Sequence, residues 1–123
     1  MDHRLMIVDD SLIIRNRIAR LCADRRLPSL RIVGLAADGE QALRIAGEHR
    51  PTLVTMDLTM PNMDGEQCIA GLAEMLPDTR ILVVSALSDK STALRAIRRG
   101  AQGFLHKPFD DNALVASIQE MLQ

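Results

Sequence analysis

Short apolar runs alternate along the chain with longer segments in which apolar residues recur every three to four positions. Runs of the first kind predict buried strands, and segments of the second kind predict helices. The five runs that predict strands cover residues 5–9, 31–36, 53–57, 80–86 and 103–107. This alternation is typical of consecutive βα units around a parallel sheet, and runs that are apolar on both faces predict helices on both sides of it.

Each helical segment has a predicted role. Ser11 is the expected N-cap of the first helix, and Asp110 or Asp111 suits the N-terminus of the fifth. The second helix is expected to be short, and the fourth is the least apolar, with a cationic outer side. The residues predicted to face the sheet are Ile14, Ile18, Leu21 and Cys22 in the first helix, Cys68, Leu72, Met75 and Leu76 in the third, and Leu114, Ile118, Met121 and Leu122 in the fifth.

Length and composition narrow the class of protein. A chain of 123 residues fits one domain, expected over residues 1–123, and 47% hydrophobic with 25% charged residues is typical of a globular protein. A net charge of -1 and an aromatic content of 2% disfavour direct binding to nucleic acid or to an anionic membrane. Cys22 and Cys68 are interpreted as buried free thiols, and no segment predicts a signal peptide or a membrane span. We therefore expect a cytoplasmic protein.

Polar residues stand at the ends of four predicted strands. They are Asp9 and Asp10, Asp57, Ser85, and Lys107. Taken singly, each has an ordinary explanation as a helix cap, a strand hydroxyl or a solvated strand end. Because the carboxyl ends of parallel strands gather at one edge of the sheet, where ligands of such folds bind, the set predicts one common site.

Three carboxylates within about 4–6 Å of one another repel, at about 4 kcal/mol for each pair with an effective dielectric of ~20. Such a cluster needs protonation or a cation, and Mg²⁺ prefers oxygen ligands. Zinc is disfavoured because the cysteine and histidine spacing is wrong, and His3, His49 and His106 are given no metal role.

A carboxylate beside a magnesium ion can act as nucleophile toward a phosphoryl group. In this interpretation Asp57 is the nucleophile, and Asp9 and Asp10 hold the metal together with Asp57 and the backbone carbonyl of Thr59. Ser85 and Lys107 grip the phosphoryl oxygens.

The segments "VDDS", "MDLTMPNMDG", "VVSA" and "FLHKPF" resemble, in order and spacing, the signature blocks of bacterial response-regulator receiver domains. The resemblance covers essentially the whole chain. It implies a flavodoxin-like three-layer (βα)5 α/β fold, a doubly wound parallel sheet with strand order 2-1-3-4-5. It also implies a sensor histidine kinase or a phosphotransfer protein as phosphodonor, a regulatory domain that catalyses only its own phosphorylation and dephosphorylation, and a cis bond before Pro108.

The same resemblance assigns Ser85 and Phe104 to a conformational switch. Phe104 stands where the family often has tyrosine, so a hydroxyl contact is lost, and ordinary core packing is the alternative role. Thr59 and Leu87 occupy positions that often carry polar groups affecting hydrolysis, which leaves the phosphoryl lifetime open.

Phosphorylation is expected to change the surface formed by the fourth helix, the fifth strand and the fifth helix. Arg95, Arg98, Arg99 and Phe104 on that surface could meet an acidic or helical output partner, or a second copy in a homodimer. Simple solvation of the helix is the alternative role of the arginines.

Three other functions fit less well. A haloacid-dehalogenase-type phosphatase needs a second acid at position 59 and threonine at 61, where this chain has Thr59 and Pro61. A flavin-binding module would need a loop that cradles phosphate, and the acidic cluster would repel the flavin phosphate. A DNA-binding regulator would need a reading domain for which no segment remains.

Overall fold

The computed structural model describes residues 3–87 and 89–123, which form one five-stranded parallel sheet in the order β2-β1-β3-β4-β5 with helices between the strands. The predicted flavodoxin-like strand order is confirmed. The strands are β1 (His3–Val8), β2 (Leu30–Ala36), β3 (Leu53–Met56), β4 (Arg80–Ser85) and β5 (Gly103–His106). The helices are α1 (Leu12–Leu21), α2 (Gly39–His49), α3 (Gly65–Met75), α4 (Lys90–Arg99) and α5 (Asp111–Met121).

Alternating side chains of the sheet feed two separate cores. Because successive residues of a strand point to opposite faces, Leu53 of β3 joins the core under α1 and α5, while Val54 joins the core under α2, α3 and α4. Ile18 and Leu114 are the helical partners on the first face, and Leu72 is a partner on the second. The sheet is therefore the middle of three layers, with an apolar core on each of its faces.

Three expectations about local structure are wrong. Met75 does not face the sheet but is 39% exposed, because α3 ends there and Leu76 turns into the core in a non-helical conformation. α2 is not short: with 11 residues it equals α3 in length. Two of its fully buried residues, Ala42 and Ala46, are small, so bulky apolar residues do not mark its whole length.

The third error concerns the edge of the sheet. The β2 run is apolar on both faces, yet Ile32 and Leu35 are exposed. β2 is an edge strand that pairs only with β1 in this sheet. The helices that pack on the sheet do not cover the whole of this edge strand. The apolar run therefore predicted the strand correctly, but the prediction that both faces of this strand are buried is wrong.

The predicted helix N-caps and the predicted free, buried cysteines are confirmed. Ser11 accepts a hydrogen bond from the Ile14 N–H at 3.3 Å, and Asp110 accepts one from the Ala113 N–H at 2.7 Å. Cys22 and Cys68 are free and buried, and burial raises the pKa of these thiols to about 11 and about 12. Of the helices described here, none has the length and apolar character that crossing a bilayer requires.

A buried hydroxyl in the central strand yields a stability prediction. The Thr55 side chain is 1% exposed, and its Oγ1 has no hydrogen-bond partner among the described residues. Thr79, also buried, donates from its Oγ1 to the Pro51 carbonyl at 2.6 Å. We expect Thr55→Val to leave the free energy of unfolding unchanged or raise it by up to about 1 kcal/mol, and Thr79→Val to lower it by about 1–2 kcal/mol, as measured by urea denaturation. Equal losses in the two variants would contradict this assignment.

Candidate functional site

Four strands deliver polar residues to one edge of the sheet. Asp9 and Asp10 directly follow β1, Asp57 directly follows β3, Ser85 is the last residue of β4, and Lys107 directly follows β5. These four strands each end one residue earlier than the sequence pattern predicted. Asp9, Asp10, Asp57 and Lys107 therefore stand on loops, while Ser85 is the last residue of its strand. The parallel arrangement brings together groups that are up to 98 residues apart in the chain.

The three aspartates form a tight cluster. One carboxylate oxygen from each of Asp9, Asp10 and Asp57 lies within 4.8 Å of the others. Asp9 is 1% and Asp57 4% exposed, while Asp10 is open to solvent. At that separation each pair of charges repels by about 3.5 kcal/mol for an effective dielectric of ~20. Three carboxylates, two buried and one facing solvent, fit a hard divalent cation that keeps several waters.

Lys107 supplies the positive charge of the site. Its Nζ lies 2.7 Å from Asp9 Oδ2 and 3.5 Å from Asp57 Oδ1, and its side chain is 18% exposed. The Lys107 N–H also donates to the Ser85 carbonyl at 2.8 Å, which fixes the lysine next to the end of β4. The Lys107–Pro108 peptide bond is cis, the isomer that the resemblance implies.

The carboxyl group of Asp57 has a raised pKa. Burial, reinforced by the charge of Asp9, raises its pKa to about 6, while Lys107 and a hydrogen bond from the Thr59 N–H act in the opposite direction. That N–H lies 3.4 Å from Asp57 Oδ1. A perturbed carboxyl beside a fixed ammonium in an acidic cluster is typical of a reactive group.

The two switch candidates occupy different places. Ser85 is buried at the site edge, and its Oγ accepts a hydrogen bond from the Leu87 N–H at 3.1 Å. Phe104 lies two residues before the end of β5, opposite Val83. It is half-buried against the core under α2, α3 and α4. Phe104 is therefore not part of the acidic cluster and can act only through the residues between them.

Several residues that shape the site were missed from the sequence. The Ser11 N–H donates to Asp9 Oδ1 at 2.9 Å, and Arg15 Nη1 donates to the Asp9 carbonyl at 2.6 Å. Gly65 opens α3 so close to the site that a Cβ there would lie 2.4 Å from the Asp57 carbonyl oxygen. The sequence feature that could have indicated this approach is Gly65 itself, at the end of "NMDG". Glycine is common where the backbone of one segment comes close to another.

Comparison with known proteins gives a consistent result. The sequence model of the response regulator receiver domain matches residues 5–119. Chemotaxis protein CheY of Bacillus subtilis (strain 168) is 35% identical over 122 residues, which make up 99% of this chain and 99% of CheY. Transcriptional regulatory protein DegU of Brevibacillus brevis is 29% identical over 120 residues, which are 98% of this chain but 50% of DegU. The chain thus spans nearly all of the first relative and half of the second.

Solved structures agree with the sequence matches. A chain of the CheX–CheY–BeF3–Mg²⁺ complex from Borrelia burgdorferi superposes with a TM-score of 0.92 at 28% identity, covering 98% of this chain and 90% of that one. A LuxR-family two-component response regulator from Aurantimonas sp. SI85-9A1 superposes with a TM-score of 0.89 at 34% identity, covering 99% of this chain and 86% of that one.

The pKa of Asp57 predicts how stability depends on pH without metal. The folded protein holds this proton up to about pH 6, whereas the unfolded chain releases it near 3.8, the ordinary pKa of an aspartate. The ionised Asp57 therefore destabilises the fold as pH rises through this window, by up to about 3 kcal/mol. In EDTA, we expect Asp57→Asn to match the wild type near pH 4 and to exceed its free energy of unfolding by about 1–3 kcal/mol at pH 7.5. A gap that is independent of pH would show that Asp57 is not the group responsible.

Proposed function

This chain belongs to the response regulator receiver domain family, and we propose that it accepts a phosphoryl group on Asp57 from a sensor histidine kinase or a phosphotransfer protein. Receiver domains act in two-component phosphorelay signalling and are regulatory modules, not enzymes that turn over a separate substrate. We further propose that residues 1–123 form a single receiver domain, that it works in the cytoplasm, and that the only reactions it catalyses are its own phosphorylation and dephosphorylation.

One observation carries the proposal. The Lys107 ammonium bridges Asp9 at 2.7 Å and Asp57 at 3.5 Å, at an edge where three carboxylate oxygens lie within 4.8 Å of one another. An acidic cluster with a single lysine set among the acids can hold a divalent cation and still offer a positive donor to a transferred phosphoryl group.

The residues of the chain divide the work. Burial raises the pKa of Asp57 to about 6, so at pH 7 the nucleophilic carboxylate is the main form. Its oxygen forms the new bond to phosphorus while the bond from phosphorus to the donor's imidazole nitrogen breaks, and the imidazole keeps the electron pair and takes a proton. Lys107 donates to an oxygen of the transferred group, where negative charge collects.

Asp9, Asp10, Asp57 and the backbone carbonyl of Thr59 would hold Mg²⁺ in this scheme. Bound magnesium would supply positive charge that offsets the carboxylates and the charge of the transferred phosphoryl group. The role of the chain is to keep these acids together before any cation arrives: Ser11 and Arg15 fix Asp9, and Gly65 lets α3 approach the Asp57 backbone.

Asp57→Asn tests the acceptor. With a small phosphodonor such as phosphoramidate and magnesium, we expect the wild type to gain the mass of one phosphoryl group and Asp57→Asn to gain none, because an amide is not a nucleophile here. Intact-mass spectrometry gives the readout. Asp78→Asn, an exposed aspartate outside the site, is the matched control and should react like the wild type.

EDTA should abolish uptake in the wild type. Phosphorylation of Asp57→Asn at the wild-type rate would refute the assignment of the acceptor. Repeated turnover of a small phosphate ester would instead favour a phosphatase.

The switch is proposed to run from Ser85 to the surface of α4, β5 and α5. Three added acceptor oxygens on Asp57 would draw the Ser85 hydroxyl inward, and the Leu87 N–H would then lose the acceptor that it has at 3.1 Å. Phe104 could then move into the space behind Ser85. Downstream output proteins, or a second copy of the chain, would read the altered surface.

The structure revises the charge expected on that surface. Arg95 of α4 is paired with Glu66 of α3 at 3.2 Å. Arg98 and Arg99 in the last turn of α4 are exposed. The cationic part that an acidic partner would meet is therefore the C-terminal turn of α4, next to the exposed Leu94 and Ile97.

Beryllofluoride, a non-covalent mimic of the phosphoryl group, tests this route. We expect its addition with magnesium to shift amide NMR signals at Leu87 and across α4, β5 and α5 in the wild type. In Ser85→Ala the shifts should stay near Asp57, because the hydroxyl that carries the movement is gone. Ser29→Ala, on an exposed loop, should behave like the wild type. Full propagation in Ser85→Ala would contradict the route, and ligand-induced dimerisation would identify a second copy as the partner.

A further inference from the structure

Arg17 of α1 makes a three-way contact with the loop that carries Lys107 and with the first residue of α5. Its Nη2 donates to the Phe109 carbonyl at 2.7 Å and to Asp111 Oδ1 at 3.0 Å. Its Cζ lies 4.4 Å from the centroid of the Phe109 ring. All three contacts fall within four residues of Lys107, although Phe109 and Asp111 are 92 and 94 residues away from Arg17 in sequence.

The contact needs the chemistry of arginine. A planar guanidinium can stack on an aromatic face and still donate in its own plane to two acceptors, which an ammonium cannot do with the same geometry. Phe109 is 6% exposed, so the carbonyl and the ring are held against the core. Arg17, whose side chain is 28% exposed, covers them from outside.

The same helix also fixes the other end of the central ion pair. Arg15 Nη1 donates to the Asp9 carbonyl at 2.6 Å, and Asp9 is the acid that Lys107 contacts at 2.7 Å. Residues two apart on a helix point in nearly opposite directions. α1 therefore reaches the loop after β1 with one arginine and the loop after β5 with the other.

We propose that Arg17 is a positioning residue for phosphoryl transfer: it holds the loop after β5 so that the Lys107 ammonium points at Asp57 and at the group that Asp57 receives. This inference rests on the proposed function. Arg17 touches neither Asp57 nor Lys107, so its effect must pass through the path of the loop from Lys107 to Asp110. Small displacements of a charged donor at a reacting centre have large effects on rate.

The first test removes the guanidinium and keeps most of the aliphatic chain. We expect Arg17→Met to lower the maximal rate of phosphorylation by phosphoramidate, and the affinity for beryllofluoride in saturating magnesium, by about 5- to 10-fold. Its affinity for magnesium alone should stay within about two-fold of the wild type, because the two buried aspartates, Asp9 and Asp57, have other contacts that do not involve Arg17. Arg20→Met removes the same charge from the exposed last turn of α1 and should leave all three quantities unchanged.

The second test asks whether Arg17 acts through Lys107. In a Lys107→Met background, Arg17→Met should cause no further loss of beryllofluoride affinity, since the ammonium that it positions is gone. An equal fold-loss in both backgrounds would mean a general structural role and would overturn the proposal. If Arg17→Met does not fold, Arg17→Lys serves in both tests, with a loss expected in the wild-type background only.

The two proposals fail in different ways. A wild-type protein that gains no phosphoryl group overturns the proposed function, and this inference with it. A wild-type protein that is phosphorylated, at a rate that Arg17→Met and Arg17→Lys both reproduce, overturns only the positioning role.

Discussion

The mutual repulsion of three aspartates is the constraint on which this structure depends. Asp9, Asp10 and Asp57 place oxygens within 4.8 Å of one another, and two of the three side chains are buried, where their charges are least screened. A chain folds around such a cluster only if other parts of it supply the compensation. Lys107 supplies a positive charge beside Asp9 and Asp57, and the parallel sheet brings it to Asp9 from 98 residues away in sequence. The order of the strands thus determines which charged groups meet at the site as well as how the cores pack.

The compensation is incomplete, and this gives the site its reactivity. Lys107 sits closer to Asp9 than to Asp57, at 2.7 Å against 3.5 Å, and the pKa of Asp57 is raised to about 6 despite the lysine. The apolar cores on the two faces of the sheet must offset this local cost. A rigid central layer, with the two cores on its faces, keeps the carboxylates from relaxing away from one another.

The alternation of apolar runs and helical segments predicted a parallel sheet and a common site, whereas the strand order came from the resemblance to receiver domains. Four strand ends carried polar residues, and one parallel sheet was enough to bring Asp9, Asp57 and Lys107 together. The predictions were wrong where the pattern of apolar and polar residues did not carry the structural information. Small residues hid the length of α2, and an apolar run could not reveal that β2 is an edge strand. Arg17 was invisible for the same reason, since its partners lie more than 90 residues away and arginine on a helix usually faces solvent.

The asymmetry of Lys107 also suggests how charge on Asp57 reaches the rest of the molecule. A cation bound to Asp9 would compete with the Lys107 ammonium, which lies 2.7 Å from that carboxylate. The lysine would then be free to turn toward Asp57, provided that its loop is held in place. Arg17 clamps that loop from α1, while Ser85, whose carbonyl accepts the Lys107 N–H, borders it on β4. One change of partner at Lys107 therefore acts on two elements at once, because the lysine is anchored to both.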